Sequence, residues 1–278
     1  MSSPSLAEEK RAGRQFWDAN PCGGQWQNYA AFSEWIERTE PYAFDVLAKF
    51  DWTGKRVLEV GCGQGTVLNH LARRRAEAVG VDMSMVSIAR TRDGAHELGH
   101  RVGLAQSDAE SLPFPDGHFD AVVSFGVLHH TPDTAKSIRE VRRVLKPGGI
   151  AIVMLYRTGN PKWWATRAIR TISRLYDRLR RDEARIAGQL RQGSGTEGDR
   201  GTALLELFGV PTMQAFSNRQ ARAFFEGFSA VEIRNYQPGF RRLADMSPIL
   251  APFAGVFGAI DRLTTSPWGF YQVIEARR

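Results

Sequence analysis

The sequence predicts an α/β fold, a doubly wound parallel sheet with helices on its faces. Three observations carry that expectation. Short β-rich apolar runs alternate with helical periods from Lys55 to Tyr156, at the spacing of βαβ units. The first run, Arg56–Val60, ends in clustered glycines that open a helix, and the second ends on Asp82. A chain of 278 residues, 42% hydrophobic and 24% charged, suffices for one large core and excludes a wholly disordered polymer.

In chain order, residues 13 to 48 mix aromatics (Phe16, Trp17, Trp26, Tyr29, Phe32, Trp35, Tyr42, Phe44) with polar residues and read as short helices that pack on or cap something. Arg56–Val60 is an apolar strand and Thr66–Arg74 a helix. Ala78–Val81 is a strand ending at Asp82, followed by a helix from about Met85 to Leu98. Arg101–Gln106 is a strand ending near Asp108, and Ala121–Phe125 a buried strand opening into a loop. Lys146-Pro147-Gly148-Gly149 stops the helix Thr134–Leu145, and Ile150–Tyr156 is the next β-rich run. There the alternation ends. Residues 163 to 190 have a helical pattern, and residues 191 to 201 (RQGSGTEGDRG) read as a flexible loop. Ser217 can cap a helix from Asn218 to Glu226 that Gly227 terminates. Val231–Tyr236 and Phe270–Ala276 are the last two strands. The expected organisation is a helical cap over residues 1–50, a core over 51–157 and 228–278, and a helical cover inserted over 158–227.

Charge is uneven. The formal net charge is +7, and residues 157 to 200 alone hold eleven Lys+Arg against five Asp+Glu. A protein that wraps nucleic acid usually spreads its basic surface over the core, so concentration in an insertion weakens that class. Pro248 to Ile260, the longest weakly polar stretch, is too short to span a bilayer, and the polar N-terminus lacks a signal-peptide core. Two cysteines, Cys22 and Cys62, cannot form a disulfide framework and suit a reducing cytoplasm. Cysteines and histidines lack metal-ligand spacing, so no metal is expected.

The chemistry is concentrated in Val57-Leu58-Glu59-Val60-Gly61-Cys62-Gly63-Gln64-Gly65, a strand running into a glycine-rich turn at a helix N-terminus. Glycines let the backbone approach a ligand, and the helix end offers unpaired N–H groups. Asp82, at the end of the next strand, can accept hydrogen bonds from ribose hydroxyls. A tight turn beside a solvated aspartate is the plainer alternative. A dinucleotide fingerprint needs a third glycine where Thr66 stands, and Glu59 would repel a pyrophosphate while suiting an ammonium group. That combination favours a ligand with an amino-acid tail and one ribose.

The stretch from Arg56 to Tyr156 resembles a class I S-adenosylmethionine-dependent methyltransferase, of the branch containing the ubiquinone/menaquinone-type and other small-molecule enzymes. Four motifs carry the resemblance in order: LEVGCGQG, VGVDMS, SDAESLPFPDGHFDAVVSFGVLHH, and EVRRVLKPGG followed by a strand. It implies a Rossmann-like, mostly parallel sheet whose last strand inserts antiparallel, and S-adenosyl-L-methionine as cofactor. It further implies that Glu59, Gly61, Gly63 and Gly65 surround the methionine moiety and that Asp82 binds the ribose hydroxyls. Met83 would pack on the adenine, Asp108 and Ala109 contact its edge, and Phe125, Gly126 and Leu128 line the methyl-transfer channel. Simple core packing is the alternative for Met83, Phe125 and Leu128. The expected activity is in-line methyl transfer to oxygen, nitrogen or carbon of a small molecule, with a nucleic-acid methyltransferase or a noncatalytic cofactor-binding subunit as alternatives. Absence of an Asn/Asp-Pro-Pro-aromatic run after the fourth strand weakens the first alternative, and the intact glycine turn weakens the second.

His129 and His130 stand where the fourth strand opens into such a site, and an imidazole titrating near neutrality suits a general base. Either histidine can equally cap a helix or pack beneath the cofactor. Tyr156 and Arg157, at the rim after the fifth strand, and Arg241 in a later loop are candidate contacts to a polar or anionic substrate. Trp17, ahead of the sheet, is a candidate pocket wall or an anchor for the N-terminal segment. Arg167, Arg170, Arg174, Arg178, Arg181 and Arg185 recur at helical spacing beside an apolar stripe. Such a face suits an anionic substrate or peripheral membrane contact, with a solvated arginine face as the plainer reading.

Overall fold

The structure is a computed structural model that describes residues 5–21, 29–160, 163, 164, 167, 168, 171, 210–236, 251–253, 255–257, 259 and 269–278. Most of the expected cover, together with Cys22 and Arg241, lies outside the described residues.

Three helices precede the sheet: α1 (Leu6–Ala19), α2 (Tyr29–Thr39) and α3 (Pro41–Leu47). α1 starts on a capping box, in which the Ser5 hydroxyl accepts from the Glu8 amide and the Glu8 carboxylate accepts from the Ser5 amide. β1 (Arg56–Val60), α4 (Thr66–Arg73), β2 (Glu77–Asp82), α5 (Met85–Glu97), β3 (Gly103–Gln106) and β4 (Phe119–Phe125) then alternate as the sequence predicts. After α6 (Thr134–Val144) come β5 (Leu145–Tyr156), α7 (Asn218–Phe224), β6 (Ala230–Tyr236) and β7 (Tyr271–Arg277).

The seven strands lie in the order β3-β2-β1-β4-β5-β7-β6. The first five run parallel, and β7 inserts antiparallel between β5 and the edge strand β6. Successive residues of the central strands feed opposite faces. Val57, Ala121 and Ile152 join one core with α3 and α4, while Leu58, Val122 and Val153 join a second core with α6. Burial on both sides explains why β1 and β4 carry consecutive apolar residues, Val57-Leu58 and Ala121-Val122-Val123, rather than a polar alternation. On α6, Ile138, Val141 and Val144 are wholly buried, and the Asp133 carboxylate caps the helix by accepting from the Lys136 amide at 2.8 Å.

Most strands and helices differ from the sequence expectation by one or two residues at an end, and the start of β5 by more. β5 begins at Leu145 rather than Ile150, because Lys146-Pro147-Gly148-Gly149 forms an irregularity within the pairing. Leu145 faces Phe119 and Ile150 faces Ala121, so the glycines absorb residues that the partner strand lacks. Gly148 has φ +76°, and a Cβ on Gly149 would lie 2.9 Å from the Lys146 carbonyl oxygen.

Candidate active site

The C-terminal ends of β1, β2 and β4 open on a cavity of about 240 Å³ at the point where the strand order reverses, the position in which doubly wound sheets bind ligands. Its floor is the glycine turn. The amides of Gly61 and Cys62 both donate to the Val81 carbonyl, at 2.7 and 3.0 Å, which ties the turn to β2. Gly61, Gly63 and Gly65 all have positive φ, for different purposes. A Cβ on Gly61 would lie 2.2 Å from Val127 Cγ2, and one on Gly65 would lie 2.6 Å from Thr91 Cγ2. A Cβ on Gly63 would meet nothing within 4 Å. Gly63 therefore presents bare backbone to open space, whereas its neighbours are forced by packing.

Asp82 stands beside this turn. Its two carboxylate oxygens accept from the amides of Gly63 (3.0 Å) and Ser84 (2.9 Å), which fixes its plane and leaves acceptor capacity on both. Glu59 is 4% exposed, with its Oε2 buried and without a hydrogen-bond partner. Burial, followed by the negative charge of Asp82, holds the Glu59 carboxyl well above the ordinary carboxylate range. Burial also raises Asp82, against the lowering effect of the two amides. Such a site favours a cation.

The wall above the turn comes from the N-terminal helices. Lys10 reaches from α1 to Asp108 (2.6 Å) and to the buried Glu110 (2.7 Å). The Glu110 amide donates to Asp108 Oδ1, and the Asp133 amide donates to Glu110 Oε1, so this carboxylate pair also seats the start of α6. Tyr29 of α2 donates to the Gly65 carbonyl at 3.1 Å and accepts from Asn69; burial pushes its phenol up to about 12.

Of the residues singled out from sequence, Glu59, Gly61, Gly63, Asp82, Met83, Asp108, Ala109, Phe125, Gly126, Trp17, His130 and Tyr156 line this one cavity. Four others do not. Gly65 is the packed N-cap of α4, and Leu128 is wholly buried in the second core. Arg157 is not among the lining residues; its amide donates to the Phe270 carbonyl and its guanidinium lies 3.4 Å from the Gly269 carbonyl. His129 is the fourth. It is wholly buried, its ring centroid 3.8 Å from that of Tyr156, and burial, then the neighbouring His130, depresses its pKa well below the usual imidazole value. It packs beneath the site and does not face the cavity.

His130 faces the cavity. Its ring meets Trp17 edge to face at 5.6 Å, and its Nδ1 lies 2.8 Å from the Thr212 carbonyl oxygen. A carbonyl only accepts, so Nδ1 carries the proton and in the neutral ring the lone pair sits on Nε2. The sequence reading missed Lys10, Glu110 and the strip Val210-Pro211-Thr212 that closes the far wall. The Ser5-x-x-Glu8 spacing announces α1 but not what Lys10 reaches, and the 210–212 strip has no sequence signal. Among the described residues no group of three or more His, Cys, Asp or Glu is placed to hold a metal ion.

Residues 58–153 match a family model described as a methyltransferase domain. The chain is 39% identical over 110 residues to a ubiquinone biosynthesis O-methyltransferase of Alkalilimnicola ehrlichii, covering 39% of this chain and 44% of that protein. It is 41% identical over 118 residues to a fatty-acid O-methyltransferase of Mycolicibacterium smegmatis, covering 42% and 41% respectively. The chain thus spans less than half the length of either relative. A solved S-adenosylmethionine-dependent methyltransferase from Thermotoga maritima shares the fold, with a TM-score of 0.58 at 15% identity over 95% of this chain and 98% of that one. Over residues 58–153 the chain thus carries the sequence of a methyltransferase domain, in a fold it shares with that solved S-adenosylmethionine-dependent methyltransferase.

Proposed function

We propose that this chain transfers a methyl group from S-adenosylmethionine to a hydroxyl of a small molecule, with His130 as the base. One observation carries the reading. A single cavity brings together the open cradle at Gly63, the fixed carboxylate of Asp82, the unpartnered buried carboxylate oxygen of Glu59, and His130.

The residues present fit the cofactor. Glu59 offers a buried acceptor for an ammonium group, Asp82 offers acceptor capacity to ribose hydroxyls, and Gly63 leaves room for close backbone approach. When bound, S-adenosylmethionine supplies a methyl group already activated on a sulfonium. The protein aligns an acceptor and excludes water, and positioning of this kind is worth roughly 7–11 kcal/mol in favourable cases. Trp17, Phe32, Trp35 and Tyr156 supply apolar walls for that purpose. His130 Nε2 takes the proton of the acceptor hydroxyl. An oxygen acceptor is supported by the names of the two relatives, both O-methyltransferases. The cysteine content supports a cytoplasmic location, and peripheral membrane contact rests on cover residues outside the described ones.

The test is to incubate metabolite extracts with methyl-labelled cofactor and identify the labelled product by mass. His130→Ala is expected to lower kcat about 100-fold while cofactor affinity stays within twofold or so. No labelled small molecule from any extract, or full turnover by His130→Ala, contradicts the respective half of the proposal.

A further inference from the structure

We propose that Gln214 is a positioning residue that holds the His130 imidazole in the tautomer with its proton on Nδ1 and its lone pair on Nε2. The inference rests on the reading of His130 as the base and deepens it.

Neutral imidazole in water keeps its proton preferentially on Nε2, the wrong tautomer for a base that must accept there; the hydrogen bond at the other nitrogen decides between the two. In this protein that bond runs from Nδ1 to the Thr212 carbonyl, at 2.8 Å and 82 residues along the chain. A contact so remote in sequence needs something to hold its two sides in register. Gln214 does so from both flanks of the histidine. Its backbone amide donates to the His129 carbonyl at 3.0 Å, and its side-chain amide donates to the Thr131 carbonyl at 2.8 Å. The same nitrogen lies 3.4 Å from the Pro132 carbonyl.

The strip that carries Gln214 is itself anchored. The Phe216 amide donates to the Tyr156 carbonyl at 2.9 Å, and the wholly buried Gln272 side chain donates to the carbonyls of both Tyr156 and Phe216. The 212–216 strip is thus fixed to the ends of β5 and β7, and the turn bearing His129 and His130 hangs from it through Gln214. Further bonds of the turn, among them the His130 amide to the Val127 carbonyl, the Thr131 and Thr134 hydroxyls to the Leu128 carbonyl and the Ser137 hydroxyl to the Thr131 hydroxyl, lie within the turn or tie it to α6, and none of these reaches Thr212.

Gln214→Met keeps the side-chain length and removes the donor; Gln214→Glu keeps the volume and also removes it, and serves if the first variant does not fold. Nitrogen NMR of the full chain labelled in histidine reads the tautomer directly, with the His130 signals identified by their loss in His130→Gln. The wild type is expected to show His130 protonated on Nδ1. Either Gln214 variant is expected to shift the tautomer ratio about five- to tenfold toward Nε2–H and to lower kcat similarly, with the KM for cofactor unchanged. A wild-type ring protonated on Nε2, or a ratio unchanged in the variants, overturns the proposal whatever the activity. A shifted ratio together with full turnover by His130→Gln upholds the positioning role and removes only the base.

Discussion

Glu59 is the residue on which pH should act most visibly. Because burial and Asp82 hold its pKa above 4.5, the empty protein keeps a proton there at pH values where a free carboxylate has lost it. An ammonium group needs the carboxylate, so binding in that window expels the proton. Cofactor affinity is therefore expected to fall as pH drops below the raised pKa, by at most about tenfold per unit. Calorimetry in buffers of different ionisation enthalpy should count the released proton, and Glu59→Gln should abolish it. The acid was legible in sequence because it stands two residues before the first glycine of the turn. Which of two adjacent histidines faces the cavity was not, since residues 128–130 form a single 3-10 turn and nothing in the HH pair says which ring turns inward.

At the scale of elements, the glycine turn separates packing from function. Gly61→Ala must fit a Cβ against Val127 at φ +78°, and is expected to cost about 2–4 kcal/mol of stability, read from the urea midpoint. Gly63→Ala meets no atom; it should cost only the positive φ, roughly 1–2 kcal/mol, yet weaken cofactor binding about tenfold or more by filling the cradle. Equal stability losses with equal affinity losses would refute that division. β1, β2 and β4 were legible because burial on both faces writes apolar runs into the sequence. The start of β5 was not, because Lys146-Pro147-Gly148-Gly149 carries the chemistry of a turn and acts as an irregularity inside a strand. The Thr212–Gln214 strip is irregular backbone made important by its carbonyl and amides, which every sequence has.

For the whole molecule, the buried histidines set acid sensitivity. Burial, reinforced by Arg74 and Arg73, lowers His70 to about 4. Between that value and 6.5 the unfolded chain binds a proton there that the folded chain refuses, so stability contributed by His70 is lost as pH falls through this window. His70→Gln is expected to lose less stability than the wild type between pH 6.5 and 4; parallel melting curves would show that His70 is not the cause. The sheet order joins these local features to one crevice at the reversal between β1 and β4, and the motifs alone foretold that crevice but not its closure by α1 and residues 210–212. The most direct test of the account is calorimetric titration of S-adenosylmethionine into the full chain and its Asp82→Ala variant. The account predicts one saturable site weakened about 100-fold or more by the substitution. No binding to the wild type, or equal affinity in both proteins, would contradict it.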